Sequence, residues 1–83
     1  MTDEDKAMKV LTLGFDDIMK IMQEEGCYSR LWSPQETNIW RAEFSYENVI
    51  GYAENENYYN VVKLAAFNYF ERKMELQEIN KCR

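Results

Sequence analysis

The sequence predicts a single α+β domain spanning residues 1–83, with two helices packed on one face of a three-stranded antiparallel sheet in the order α-β-β-β-α. Three observations predict this fold. Apolar residues recur at helical spacing near both ends of the chain, they alternate with polar residues in the middle, and residues typical of turns separate the alternating segments. Two amphipathic helices and a sheet with one apolar face are best buried as two layers.

The first helix is expected over about residues 3–25. A stripe of apolar side chains at spacings of three and four runs along it: Met8, Leu11, Phe15, Ile18 and Met22. Thr2 can cap this helix, with Asp5 at the capping-box position, and Gly26 can end it. Gly14 lies inside the stripe and costs about 1 kcal/mol relative to Ala. An alternative interpretation makes Lys9–Leu13 a strand and starts the helix at Asp16.

Three strands are expected over about residues 27–33, 39–46 and 49–54. The second is the clearest, because Trp40, Ala42, Phe44 and Tyr46 share one face. Pro34–Asn38 is expected to be a loop, and Glu47–Asn48 a tight turn. In the third strand, Ile50 and Tyr52 share one face, while Gly51 indicates a bulge or a close backbone approach. Short connections make the three strands an antiparallel meander.

The second helix is expected over about residues 56–81, capped by Asn55 or Asn57. Its apolar stripe contains Tyr58, Val62, Ala65, Tyr69, Leu76 and Ile79, and it is widened by Ala66, Phe70 and Met74. The small residues Ala65 and Ala66 allow the helix to lie close to a sheet.

The composition argues against an enzyme. The chain has no histidine, so it has no histidine-based triad, general base or zinc ligand. Glycine is too sparse for a phosphate-binding loop, and the neighbouring pairs Asp16–Asp17 and Glu24–Glu25 point about 100° apart on a helix. We therefore expect no catalytic residue, no metal and no cofactor. Cys27 and Cys82 are too few for a disulfide framework and are expected to be reduced thiols in a cytoplasmic protein.

Direct binding of nucleic acid is not expected. Lys and Arg number 10 against 15 Asp and Glu, for a net charge of −5, whereas nucleic-acid affinity comes largely from cations that neutralise phosphates. The predicted element order is that of double-stranded RNA-binding domains, but here the last helix opens with Glu54–Asn57, the wrong charge for that function. A lesser alternative is RNA or DNA binding through four cations near the C-terminus: Arg72, Lys73, Lys81 and Arg83. No signal peptide or membrane span is expected.

The most informative segment is residues 42–62, which contains no Lys or Arg. Glutamates and tyrosines alternate along it, and we expect them to form one acidic, tyrosine-rich edge at the hairpin and the start of the second helix. Tyrosine offers a large contact area at low entropic cost, and carboxylates would direct the edge toward a basic partner surface. The candidate partner-binding residues are Glu43, Tyr46, Glu47, Tyr52, Glu54, Glu56 and Tyr58. An edge of solvated turns and tyrosines is the structural alternative.

A second functional hypothesis is a homodimeric structural or assembly protein. Leu64 and Phe67 lie off the main apolar stripe of the second helix. Apolar surface that remains exposed on a small domain usually finds a partner, and a second copy of the chain is the simplest one.

Three short runs resemble a known pattern: Trp40–Phe44, Gly51–Glu54 and Val61–Ala66. Together they resemble small phage and prophage α-β-α sandwich proteins of unknown function. In size and acidity the chain is also similar to anti-CRISPR proteins, which as a class occupy nucleic-acid sites on host nucleases. These resemblances imply a protein of phage or mobile-element type that binds and blocks a basic, nucleic-acid-binding surface of a host or defence protein. No functional residue is carried over from either group.

Overall fold

Three helices and three strands follow one another in the order α-α-β-β-β-α in the computed structural model, which describes residues 1–34 and 38–81. The predicted loop at Pro34–Asn38 lies mostly outside the described residues, and Cys82 and Arg83 lie outside them entirely. The elements are α1 Asp3–Val10, α2 Phe15–Glu24, β1 Tyr28–Trp32, β2 Trp40–Tyr46, β3 Val49–Asn55 and α3 Tyr58–Lys81.

The three strands form an antiparallel sheet in the order β1-β2-β3, as predicted. Phe44 in the central strand lies between Ser29 of β1 and Gly51 of β3. Glu47 and Asn48 form the predicted two-residue turn between Tyr46 and Val49. Glu47 adopts a φ of 54°, a left-handed conformation that tight hairpin turns commonly require. The register places alternate side chains of every strand on the same face.

One face of the sheet, here called the inner face, carries the buried side chains of Ala42, Phe44, Val49 and Ala53. Helix α3 packs along β3 and β2 on this face. Helix α2 covers the β1 side, where Phe15 and Met19 border a small cavity of about 60 Å³ together with residues of β1 and β2. The predicted two-layer α+β architecture is confirmed, with the helices on one face of the sheet.

Of the two features that Gly51 indicated, a bulge or a close backbone approach, the structure shows the close approach, between β3 and α3, while the strand register continues unbroken through Gly51. A methyl group at Gly51 would collide with the backbone nitrogen of Tyr69 and the carbonyl oxygen of Ala65. On the helix side, Ala65 and Ala66 are fully buried, so small side chains on both elements allow the close approach. Tyr69 and Phe70 fill the space beside this contact, with their rings edge to face at 5.2 Å.

The predicted single helix over residues 3–25 is wrong, and so is the alternative strand at Lys9–Leu13. The Thr12 hydroxyl and amide both donate to the carbonyl of Lys9, which closes α1. Gly14 is extended, with φ −76° and ψ 170°, and serves as the N-cap of α2. The helix therefore breaks near Gly14, the residue that is least favourable inside a helix. Both ends are as predicted: Thr2 and Asp5 form the capping box, and Gly26, with φ 85°, follows α2.

The predicted apolar stripes are only partly buried. Met8 is 62% exposed, and α1 instead buries Ala7 and Val10. In α3 the buried side chains lie between Val61 and Phe70, while Tyr58 and Ile79 near its ends are exposed. The reason is length: 24 helical residues extend about 36 Å, whereas strands of seven residues cover only about 23 Å. Asn57 caps α3 by accepting hydrogen bonds from the amides of Tyr59 and Asn60.

An ion network fixes α1 and the end of α2 against the second half of α3. The Glu25 carboxylate accepts hydrogen bonds from Lys6 and from Lys73, and its side chain is only 7% exposed. The Lys73 ammonium also donates to Asp3 at 3.0 Å, and the Gln77 amide donates to the same carboxylate. Burial by itself raises the pKa of Glu25, but the two lysines outweigh it and the pKa is lowered. The paired ions therefore join residues up to 70 positions apart along the chain.

We predict that Gly51→Ala destabilises the fold by about 3 kcal/mol, because backbone atoms cannot move away from the added methyl group as a flexible side chain would. Thermal unfolding checks this, with an expected decrease of roughly 4–8 °C in Tm per kcal/mol for a domain of this size. Gly14→Ser is the matched control. Its Cβ meets nothing within 4 Å and its hydroxyl can cap α2, so we expect an unchanged or slightly higher Tm. Equal losses in the two variants would contradict the close-approach argument.

We predict that Glu25→Gln lowers the free energy of unfolding at pH 7 by about 1.5–3 kcal/mol, the range for hydrogen bonds to charged groups. Because the folded-state pKa of Glu25 is lowered, the stabilisation is present above the ordinary value of 4.5 and is lost as the pH falls through the folded pKa. Urea unfolding between pH 3 and 7 should therefore show wild type and variant converging at acid pH. Glu24→Gln, which alters the exposed neighbour, should leave the curve unchanged.

Candidate protein-binding site

The outer surface of the sheet, here called the open face, is formed by the side chains that point away from α3. Adjacent strands place these residues side by side, because Arg41 pairs with Trp32 and Glu54, and Glu43 pairs with Arg30 and Tyr52. Among the described residues, no helix covers this side. The open face contains Tyr28, Arg30, Trp32, Arg41, Glu43, Ser45, Ile50, Tyr52 and Glu54.

Aromatic and aliphatic side chains are strongly exposed on the open face. Tyr28 is 83% exposed, Ile50 54% and Tyr52 40%. The rings of Trp32 and Tyr52 lie 6.2 Å apart across the sheet, tilted by 46°. The Arg30 guanidinium lies over the Trp32 ring at 4.3 Å, a cation–π arrangement. Large apolar groups in one contiguous area of a small domain are typical of an interaction surface.

Hydrogen bonds and an ion pair hold the β3 side of the open face in place. The Tyr52 hydroxyl donates to Glu54 Oε1 at 2.5 Å, and Arg41 lies 3.4 Å from the same carboxylate. The hydrogen bond to Glu54 raises the pKa of the Tyr52 phenol, because ionisation would remove the donated proton. Behind the strand, the Asn68 amide of α3 donates to the Tyr52 carbonyl at 2.8 Å. Tyr52 is thus oriented at both its backbone and its hydroxyl.

The structure places the seven predicted partner-binding residues in three groups. Glu43, Tyr52 and Glu54 lie on the open face. Tyr46 and Glu47 lie at the β2–β3 turn, where the Tyr46 ring covers Gly26, 3.4 Å from where its Cβ would be. Glu56 and Tyr58 lie at the opposite end of the hairpin, about 20 Å away along seven residues of strand. One continuous acidic edge is therefore not formed, and a binding role for each residue stays a prediction.

Tyr58 belongs to a separate aromatic cluster at the start of α3. Its ring lies 4.1 Å from that of Tyr59 and 5.8 Å from that of Trp40. Tyr59 in turn meets Phe15 edge to face at 6.5 Å. A hydrogen bond with Tyr59 raises the pKa of the Tyr58 phenol. These contacts join the start of α3 to α2 and β2, so Tyr58 has a packing role in addition to any binding role.

Sequence reasoning missed six members of the open face: Tyr28, Arg30, Trp32, Arg41, Ser45 and Ile50. A usable signal was present in β3, where Ile50 and Tyr52 alternate with Val49, Gly51 and Ala53. Since a close backbone approach at Gly51 requires that residue to face a helix, Ile50 and Tyr52 must face away from it. The same alternation, carried through the register, would have assigned the remaining residues.

Two of the four cations predicted near the C-terminus are engaged in ion pairs, while the side chains of Lys81 and Arg83 lie outside the described residues. Arg72 pairs with Glu75 at 3.1 Å, and Lys73 is held by Glu25 and Asp3, so both cations already have carboxylate partners. Cys27 is a free thiol, and burial raises its pKa. Within residues 1–34 and 38–81, no three Cys, Asp or Glu side chains are grouped so that they could hold a metal ion.

Comparison with protein-family models, with curated proteins and with solved structures finds no significant match to this chain. None of the helices in the described part of the chain combines the length and the apolar character needed to cross a membrane. The contrast between the packed inner face and the uncovered open face is therefore the feature that bears on function.

We predict that Tyr52 ionises above the ordinary tyrosine pKa of 10.0 and that Glu54→Gln lowers its pKa, because the acceptor carboxylate is lost. A pH titration of tyrosine Cζ resonances by NMR measures this directly. Glu43→Gln is the matched control, since Glu43 acts on Tyr52 only through its charge and should change the pKa less. A Tyr52 pKa that is the same in wild type and Glu54→Gln would show that the hydrogen bond is not maintained in solution.

Proposed function

We propose that this chain is a non-enzymatic protein-binding module that contacts its partner through the open face of the sheet. The observation that carries the proposal is the exposure of Tyr28, Ile50 and Tyr52 on one side of the sheet. The half-buried Trp32 lies on the same side, which no described helix covers. Burying exposed apolar surface is the main favourable term in most protein association. Antiparallel sheets commonly leave one face to solvent, but that face then carries mostly polar side chains, whereas here Tyr28, Ile50 and Tyr52 are exposed on it.

The side-chain chemistry of the open face matches that of protein interfaces. Tyr, Trp and Arg are enriched in the fully buried centre of interfaces and among the residues whose truncation costs most affinity. Arg30 is already stacked on Trp32, and Tyr52 is already bonded to Glu54. Because these side chains are partly ordered before binding, less conformational entropy is lost on association.

The distribution of charge indicates which kind of partner surface the protein would attract. On the open face itself, Arg30 and Arg41 balance Glu43 and Glu54, so contact there is not dominated by one sign of charge. The whole chain carries −5, and Glu47 and Glu56 stand just beyond the two ends of the hairpin. Long-range attraction would therefore favour a partner with a basic surface, while the aromatic centre provides the contact.

The finer form of the proposal concerns the partner and the outcome of binding. A basic surface on a host or defence protein is often its nucleic-acid-binding surface, and an acidic module docked there would block it. The protein would then be of phage or mobile-element type and similar in action to an anti-CRISPR protein. The net charge of −5 and the absence of Lys and Arg over residues 42–62 support this more specific proposal.

A second candidate is a homodimeric assembly protein. The observation that favours it is the position of β1 at the edge of the described sheet, where it pairs with β2 on one side only. Leu31 and Tyr28 on this strand are 38% and 83% exposed. Antiparallel pairing of β1 with β1 of a second copy would extend the sheet and join two open faces into one.

The test is photo-crosslinking in cells of the natural source, with a benzophenone amino acid at position 28. The same amino acid at position 59, exposed on the helical side, is the control. Partners captured only from position 28 are purified, and their dissociation constants are measured for Tyr28→Thr/Ile50→Thr and for Leu64→Gln/Ile79→Gln. Both double variants remove exposed apolar side chains, but only the first removes them from the open face.

We expect the open-face double variant to bind about tenfold or more weakly, because each exposed anchor contributes on the order of 1 kcal/mol or more, and the α3 double variant to bind as wild type. Glu47→Lys/Glu56→Lys should slow association and reduce its salt dependence. A cross-linked homodimer from position 28 would support the second candidate instead. Equal binding by both double variants, or equal capture from positions 28 and 59, would contradict a role for the open face.

A further inference from the structure

A second, chemically different surface lies on the helical side of the molecule. Helix α1 and the second half of α3 enclose a groove of about 300 Å³, here called the α1–α3 groove. Since α3 packs on the inner face of the sheet, this groove and the open face belong to different sides of the domain. The groove is lined by Glu4, Ala7, Met8, Phe67, Glu71, Met74, Glu75 and Glu78.

The floor of the α1–α3 groove is apolar and adaptable. Met8 is 62% exposed on α1, although it belongs to the apolar stripe of that segment. Met74 and Phe67 on α3 are only partly buried against the core. Methionine is flexible and polarisable, and surfaces that accept helical partners of varied sequence commonly use it. The floor can therefore shape itself around an apolar side chain from outside.

The rim of the groove is acidic on both walls. Glu4 lies on α1, while Glu71, Glu75 and Glu78 lie on α3. Arg72 pairs with Glu75 at 3.1 Å, which leaves three further carboxylates on the rim. Lys6 of α1 and Lys73 of α3 are held by carboxylates outside the rim, because Lys6 binds Glu25 and Lys73 binds Glu25 and Asp3.

We propose that the α1–α3 groove binds a cationic amphipathic helix of a protein partner. Its α3 wall runs from Phe67 to Glu78, about 17 Å, which matches three turns of helix. A helix-in-groove complex places apolar residues at spacings of three and four onto an apolar floor. Lysine or arginine residues flanking that stripe would meet the glutamates on both walls. The negative charge of the rim selects against an acidic helix, because such a helix would bring like charges together.

This site goes beyond the open face and does not depend on it. A partner held at the open face leaves the α1–α3 groove accessible, so one molecule of this protein could hold two proteins, or two parts of one protein, at the same time. The ion network of Glu25, Lys73 and Asp3 supports the site, because it fixes α1 beside α3 and so sets the spacing of the two walls.

The test uses synthetic peptides as probes. A fluorescein-labelled 14-residue peptide of leucine and lysine in an amphipathic helical pattern is titrated with the full chain, and binding is followed by fluorescence anisotropy. A peptide of the same composition without helical periodicity and an amphipathic leucine–glutamate peptide are the controls. Amide chemical shifts of ¹⁵N-labelled protein locate the binding surface. We expect saturable binding of the cationic amphipathic peptide only, with the largest shifts at residues 4–8 and 67–78.

Two charge-reversed variants separate the groove from general attraction between opposite charges. Glu71→Lys/Glu78→Lys changes the rim, and Asp16→Lys/Glu24→Lys makes the same change in net charge at exposed positions outside it. We expect the rim variant to bind about tenfold or more weakly and the control to change less than about threefold, because only close charge pairs are affected strongly. Met8→Gln, which keeps a helix-forming residue at an exposed position, should also weaken binding while α1 stays folded by circular dichroism.

Several outcomes would overturn the proposal. They are equal weakening in the two charge-reversed variants, equal binding of the non-periodic peptide, shifts confined to the open face, or no binding at all. None of these results would overturn the open-face proposal, because that proposal is tested by crosslinking from position 28 and with a different partner. If Met8→Gln and the rim variant both bind as wild type, the groove is excluded as the site.

Discussion

The close contact between the backbones of β3 and α3 at Gly51 is the constraint on which the rest of the structure depends. It is possible because Gly51 has no side chain and because Ala65 presents almost none. Once α3 lies this close to the sheet, Val61, Val62, Tyr69 and Phe70 become buried along it. Helices α1 and α2 pack against α3, and no described helix lies on the other face of the sheet.

The first and second helices take their positions from α3 more than from the sheet. Helix α1 packs on the second half of α3, beyond the reach of the strands, where the Glu25, Lys73 and Asp3 ions and the buried Ala7 and Val10 hold it. A straight helix from residue 3 to residue 25 could not pack against both the second half of α3 and the β1 side of the sheet. The break at Gly14 allows the two halves to bury different side chains, and a by-product is the α1–α3 groove.

The two surfaces that result differ in chemistry because different elements form them. The open face combines aromatic side chains with arginines and glutamates in equal number, so shape and aromatic contact dominate there. The α1–α3 groove combines methionine with glutamates on both walls, so charge sign contributes to selectivity. The glutamates of residues 42–62 were expected to form one surface, but they are divided between the open face, the β2–β3 turn and the start of α3. The net charge of −5 is therefore distributed over several surfaces of the domain.

Much of the fold could be predicted from the sequence, because the features concerned depend on residues a few positions apart. The Thr2 capping box, the Gly26 helix end, the Glu47–Asn48 turn, the alternation of β2 and the small residues at Gly51 and Ala65 are all of this kind. The candidate site could be predicted only for Glu43, Tyr52 and Glu54. Its other members lie on strands, and a strand face is buried only when a helix covers it. The alternation of side chains along a strand is the same whichever face the helix covers, so it does not show which face is buried.

By itself, then, the sequence determined the α+β class, the antiparallel meander, the caps and the glycine at the helix–sheet contact. The tertiary structure decided that the first helical segment breaks at Gly14 instead of continuing through it, which sheet face stays bare and how α1 is held. The physical reason is distance along the chain. Hydrogen bonds within a turn or a cap form among neighbours, whereas the ion pair between Asp3 and Lys73 joins residues 70 positions apart. Contacts of that length are set by packing, which local periodicity does not encode.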